Sequence, residues 1–113
     1  DEAKIDGVTA ISGSGPAYVF LFIEALQQAA AELGFTPEQG RQLAIETVQG
    51  AAALAAQSSE PASTLRERVT SKGGTTEAAL RVMAEKGVKD GIIAGCHAAA
   101  ARGQELGKIL GAA

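Results

Sequence analysis

The residues best equipped for chemistry sit together in Val69-Thr70-Ser71-Lys72-Gly73-Gly74-Thr75-Thr76-Glu77-Ala78-Ala79-Leu80. Small hydroxyls, two adjacent glycines and a lysine form a turn, and the turn opens a helix. Gly73-Gly74 lets the backbone adopt φ > 0 and approach a ligand closely. The first free N–H groups of a helix starting near Thr75 or Thr76 point back into the turn. Such an end carries partial positive charge and suits an anion. The hydroxyls of Thr70, Ser71, Thr75 and Thr76 can orient what binds there. The plainer alternative is a Gly-Gly linker with a threonine N-cap, a common arrangement, whose free N–H groups meet only water.

Ser12-Gly13-Ser14-Gly15-Pro16-Ala17-Tyr18 is a second glycine-rich stretch. Glycines beside a proline mark a turn, and Ser14 or Gly15 can cap a helix whose first position is Pro16. The full G-x-G-x-x-G spacing and a surrounding βαβ unit are missing, so a phosphate loop is disfavoured. A tight backbone approach beside a ligand fits better. The other reactive side chains do not assemble. His97 is the only histidine, and its neighbour Cys96 cannot share a helix face with it. A metal site needs three or four ligands, so none is expected, and no Ser-His-Asp set is in prospect. Glu24, Glu32, Glu46 and Glu85 are scattered along amphipathic stretches.

The elements that must carry these two stretches are helices. Residues 1–11 read as an extended lead-in. A helix from Pro16 to Leu33, stopped by Gly34, begins apolar all round at Ala17–Ile23, which predicts a central, deeply buried helix. Thr36-Pro37-Glu38-Gln39 combines a cap, a proline at the first position and a capping-box glutamine; that helix runs to about Ala56. A short helix over Pro61–Val69 leads into the Ser71–Thr75 turn, and the next helix runs to Lys86 and stops at Gly87. The last helix, from about Val88 to Leu110, has Gly91, Gly95, Ala99, Gly103 and Gly107 at a spacing of four. Residues i and i+4 share a face, so this is a groove almost without side chains. Each interior glycine costs roughly 0.5–1 kcal/mol relative to alanine, which a closely packed helix would offset. That helix could come from the same chain or from a second copy.

The chain has 113 residues and a net charge of -3, with a pI near 5.1. Length suits one domain, and the acidic balance argues against a nucleic-acid or anionic-membrane partner. No apolar run was expected to reach the ~18 residues that span a bilayer. One cysteine fits a reducing, cytoplasmic compartment. A start at Asp1 suggests a fragment or a processed chain. The expected fold class is all-α: a single helical domain of about five helices, rich in alanine.

The stretch at 12–18, together with Leu65 and Val69–Leu80, resembles pyrroline-5-carboxylate reductase, whose signature is V-[ST]-S-x-G-G-x-T-x-x-[AG]-L. The likeness covers the chain as that family's C-terminal half. It implies reduction of 1-pyrroline-5-carboxylate to L-proline with NADPH or NADH, the last step of proline biosynthesis, with the cofactor held mainly by an N-terminal Rossmann domain outside this chain. It implies a homodimer, which can assemble into a decamer, interlocked through this domain. Transferred by position, Val69, Ser71, Gly73, Gly74, Thr75 and Thr76 bind substrate. Thr76 takes the catalytic position, its hydroxyl near the ring nitrogen, and Gly15, Pro16 and Ala17 lie near the nicotinamide. Two positions depart from the pattern: Lys72 stands where many relatives have proline, and Arg68 where some have a cofactor-touching asparagine, a role not transferred. This chain alone is expected to be inactive. Other readings of the same residues are a purely structural oligomerisation domain, or a reductase domain for another imino or carbonyl acid.

Overall fold

A computed structural model describes residues 1–112. Its elements are α1 (Glu2–Val8), a π-helical turn (Thr9–Gly13), α2 (Gly15–Glu32), α3 (Pro37–Gln57), α4 (Ala62–Arg68), α5 (Thr75–Glu85) and α6 (Val88–Ala112). No strand occurs among the described residues, in line with the all-α reading.

Most boundaries follow from local chemistry. α2 ends in a Schellman motif: Phe35 N–H donates to the Ala30 carbonyl and Gly34 N–H to that of Ala31, while Gly34 takes φ of 100°. This glycine supplies the left-handed residue such a cap needs. Thr36 then opens α3 with a reciprocal capping box, its hydroxyl accepting from Gln39 N–H and Gln39 Oε1 accepting from Thr36 N–H. Gly87, at φ 70°, separates α5 from α6.

Two expectations are corrected near the start. Residues 2–8 are helical, not extended, and the glycine-rich stretch is no open turn. The chain passes through it in a π-helical turn closed by Ser14 N–H on the Thr9 carbonyl at 2.8 Å. Pro16 has no N–H to give the preceding turn, and a one-residue widening is how helices absorb such a mismatch. Helical structure therefore continues from Glu2 to Glu32, and Gly7 to Ile23 carries no charge. By length and composition the helical run Glu2–Glu32 suffices to cross a bilayer, which corrects the expectation that no such run exists.

The described residues fall into two compact units, Asp1–Phe20 with the segment from Met83 onward, and Leu21–Val82. In the first, α1 lies along α6; a Cβ on Gly103 would stand 3.1 Å from Asp6 Oδ1. The glycine face of α6 therefore has a same-chain neighbour at Gly103, whereas a Cβ on Gly91, Gly95 or Gly107 would meet nothing within 4 Å. In the second, α2 and α3 approach through small residues: a Cβ on Gly40 would lie 3.2 Å from Ala30 Cβ.

Among the described residues, the buried apolar side chains are all alanines, Ala10, Ala30 and Ala44. The apolar start of α2 is not deeply buried as expected: Phe20 is 62% and Leu21 66% exposed. A helix that is apolar all round has to be covered on every side, and one chain does not cover it.

Candidate functional site

The turn between α4 and α5 belongs wholly to the Leu21–Val82 unit. Its entry is set by α4, whose last turn leaves the Thr70 hydroxyl donating back to the Arg66 carbonyl. That donor is committed to the helix end and not to the turn. Val69 follows α4 with its side chain 66% exposed.

Gly74 N–H then donates to the Ser71 carbonyl at 3.0 Å, which makes Ser71–Gly74 a β-turn with Lys72 and Gly73 in the centre. Gly73 has φ 74°, and among the described residues none other than glycine has positive φ. Positive φ at the third position alone defines a type II turn. This is why a glycine stands at 73. Gly74 is there for space: a Cβ would lie 3.2 Å from the Ser71 carbonyl oxygen and 3.3 Å from Ser71 Cβ. α5 begins at Thr75, and its first helical hydrogen bond runs from Ala78 N–H to the Gly74 carbonyl.

These bonds sort the donors of the turn. Gly74 N–H is used by Ser71. Gly73 N–H donates to Glu77 Oε1 at 3.0 Å. Among the described residues, Thr75, Thr76 and Glu77 N–H have no acceptor in the chain. They are the open donors at the positive end of an 11-residue helix, next to the hydroxyls of Ser71, Thr75 and Thr76. Ser71 and Thr75 are exposed and Thr76 half-buried. The arrangement can accept one small anion, with a hydroxyl beside it for a neighbouring polar atom.

Glu77 is the residue that sequence reasoning passed over as a site component. Its signal was present: a glutamate in the first turn of a helix can reach back to a backbone N–H ahead of it, as in a capping box. Arg81, one turn further, approaches the same Oε1 at 3.5 Å.

Gly15, Pro16 and Ala17 lie in the Asp1–Phe20 segment, at the start of α2. Tyr18 Oη donates to the Ala10 carbonyl at 2.8 Å and Ser12 Oγ to the Val8 carbonyl at 2.9 Å. Both bonds fasten the π turn that precedes these residues. A Cβ on Gly15 would meet nothing within 4 Å, so the backbone there is bare and approachable.

An open apolar groove of about 700 Å³ runs beside the turn, lined by Leu54 and Ala55 of α3, Leu65 of α4, and Val69. Arg68, also on its rim, pairs with Glu60 at 3.2 Å. No group of three or more His, Cys, Asp or Glu able to hold a metal occurs among the described residues. Cys96 is a free thiol, half-buried on α6.

Comparison with known proteins gives one consistent family. The model for pyrroline-5-carboxylate reductase dimerisation matches residues 2–106. A pyrroline-5-carboxylate reductase of Pseudomonas aeruginosa is 44% identical over 111 residues, 98% of this chain and 41% of that protein. A pyrroline-5-carboxylate reductase structure from Coxiella burnetii superposes with a TM-score of 0.89 at 44% identity, over 94% of this chain and 39% of that one. The Plasmodium falciparum pyrroline carboxylate reductase structure, with NADP bound, gives a TM-score of 0.90 at 33% identity, over 95% of this chain and 41% of that one. The chain thus spans about two fifths of the length of the curated relatives it matches.

Proposed function

Since the chain belongs to the pyrroline-5-carboxylate reductase dimerisation family, we propose that it is the dimerisation and substrate-binding half of an enzyme that reduces 1-pyrroline-5-carboxylate to L-proline. The observation that carries this reading is the set of open donors, Thr75, Thr76 and Glu77 N–H, at the end of the Ser71–Gly74 turn. A pyrroline carboxylate has one anionic group and one ring nitrogen, and the turn offers an anion cradle with hydroxyls beside it. Ser71, Gly73, Gly74, Thr75 and Thr76 form that cradle, by their donors or by the backbone shape that aims them, and Val69 adds an apolar wall.

NADPH or NADH, when bound, supplies the hydride. The bare backbone at Gly15, with Pro16 and Ala17, fits the close approach of a flat ring, and a dinucleotide domain outside this chain would hold the rest. The contribution of the chain is to place the imine carbon. The Thr76 hydroxyl accepts from the protonated ring nitrogen, which keeps the C=N bond in its electrophilic form. Holding donor and acceptor in position can supply much of the rate without a protein acid or base.

A second copy of the chain is the proposed partner, in a homodimer or a decamer built of dimers. Its support is the exposed apolar surface of α2 and the open face of α6 at Gly91 and Gly95. That open face also supports a second reading, a domain whose sole task is association. The net charge of -3 disfavours nucleic acid and anionic membranes, and a cytoplasmic location suits a reduced Cys96.

Thr76→Ala in the full-length protein tests the site. kcat/KM for 1-pyrroline-5-carboxylate should fall more than about tenfold, or about 1.4 kcal/mol. Unchanged kinetics would remove Thr76 from the site, and failure of L-proline to compete would favour a different imino or carbonyl acid.

A further inference from the structure

Resting on that reading of the turn, we propose that Glu77 is a positioning residue for the substrate carboxylate. By accepting the Gly73 N–H at 3.0 Å, it holds the type II turn in the shape that sets Ser71 against the open Thr75 and Thr76 N–H groups.

The turn has two internal ties. The first, Gly74 N–H to the Ser71 carbonyl, closes the turn itself. It does not fix how the turn is tilted against α5, because both of its ends lie before the helix. The second tie crosses that joint beside the helix's own bond from Ala78 N–H to the Gly74 carbonyl, and it reaches one residue further, to Gly73. Glu77 is on the first turn of α5, and its carboxylate reaches back to Gly73, the residue at φ 74°. Gly73 is also the softest point of the loop, since glycine has the widest choice of φ and ψ. A Cβ there would meet nothing within 4 Å, so packing does not restrain it either. The carboxylate therefore fixes the joint that orients Ser71 relative to Thr75 and Thr76.

The charge arrangement is consistent with a brace and not with a competitor for the anion. Glu77 meets Arg81, one helical turn further along α5, through the same Oε1 that Gly73 uses. The guanidinium offsets the negative charge that would otherwise face an incoming carboxylate. Acceptor geometry is then the property that matters at 77, and a neutral amide oxygen can supply it.

The test uses the full-length enzyme, with KM and kcat measured for 1-pyrroline-5-carboxylate and for NAD(P)H. Glu77→Ala removes the acceptor and should raise KM for pyrroline-5-carboxylate about five- to tenfold with kcat within about twofold, the pattern of lost uniform binding. KM for NAD(P)H should stay unchanged, which a general loosening of the fold would not allow. Glu77→Gln keeps an oxygen at the same reach and should restore KM to within about twofold of the parent. If Glu77→Ala is insoluble, Glu77→Asp takes its place; its carboxylate stops one methylene short and should show the same split. Parent-like KM in Glu77→Ala, or equal damage in Glu77→Gln, overturns the proposal. Thr76→Ala, run in parallel, separates the two levels: impaired Thr76→Ala with parent-like Glu77→Ala sinks only the brace, whereas two parent-like variants sink the site.

Discussion

The hydroxyl of Tyr18 donates to the carbonyl oxygen of Ala10 at 2.8 Å, eight residues earlier in the chain. Ala10 is only 3% exposed, and it sits inside the π-helical turn, where the ordinary i to i+4 ladder is displaced. The phenol therefore satisfies a carbonyl that water reaches poorly, and ties the turn to the start of α2. Tyr18→Phe keeps the ring and loses the donor. Its expected cost is about 1 kcal/mol, read as a lower midpoint in denaturant at constant protein concentration; an unchanged midpoint would mean that the bond contributes nothing.

The same substitution at two places in α3 should have opposite signs. A Cβ on Gly40 would lie 3.2 Å from Ala30 Cβ and 3.5 Å from the Gln27 carbonyl oxygen, both on a neighbouring helix. Gly40→Ala should destabilise by about 1–3 kcal/mol through overpacking. Gly50 has nothing within 4 Å of its Cβ direction, so Gly50→Ala should stabilise the helix by about 0.5–1 kcal/mol. Thermal melts of the two variants beside the parent give both signs, and a matching sign would contradict the close α2–α3 approach.

Gly95 distinguishes packing within the chain from packing against another copy. Its Cβ position is free of contacts in the chain, so a side chain can start there without a clash at Cβ, and leucine adds helix propensity. If a second copy packs on this face, the variant should lose association all the same. Light scattering at micromolar concentration should show parent-size oligomer for the native chain and a smaller species for Gly95→Leu. Equal sizes would place the interface elsewhere.

Lys72 stands at the second position of the type II turn, where φ near −60° is required and proline is favoured. Its N–H has no acceptor among the described residues, so nothing is lost if it goes. Lys72→Pro should stabilise by about 0.4–1 kcal/mol by restricting the unfolded chain. Gly73→Ala, at φ 74°, should cost about 1 kcal/mol or more from left-handed strain. A melt in which Lys72→Pro is destabilising would rule out the type II geometry.

The features legible in the amino-acid sequence are those whose cause lies within a few residues. The capping box of Thr36 and Gln39, the left-handed stops at Gly34 and Gly87, and the glycine pair ahead of Thr75 each close bonds over three to five positions, so their residue types announce them. The Ser71–Thr76 turn was legible for the same reason, down to its open helix end. Features whose cause lies farther away were misread. Residues 1–11 have no strong cap beyond Asp1, and their helix is settled by packing along α6, nearly the whole chain length away. Gly13–Pro16 looks like a turn by composition, but a π-helical turn held by Tyr18 carries the chain through it. Burial of α2 was inferred from its apolar composition, which states that the helix requires cover but not which chain provides it. At Gly73 and Gly74 the composition announced a flexible turn, but not that folding ties Gly74 N–H to the Ser71 carbonyl and Gly73 N–H to Glu77. Composition counts the donors a turn possesses; only the folded arrangement of acceptors around them decides which remain free.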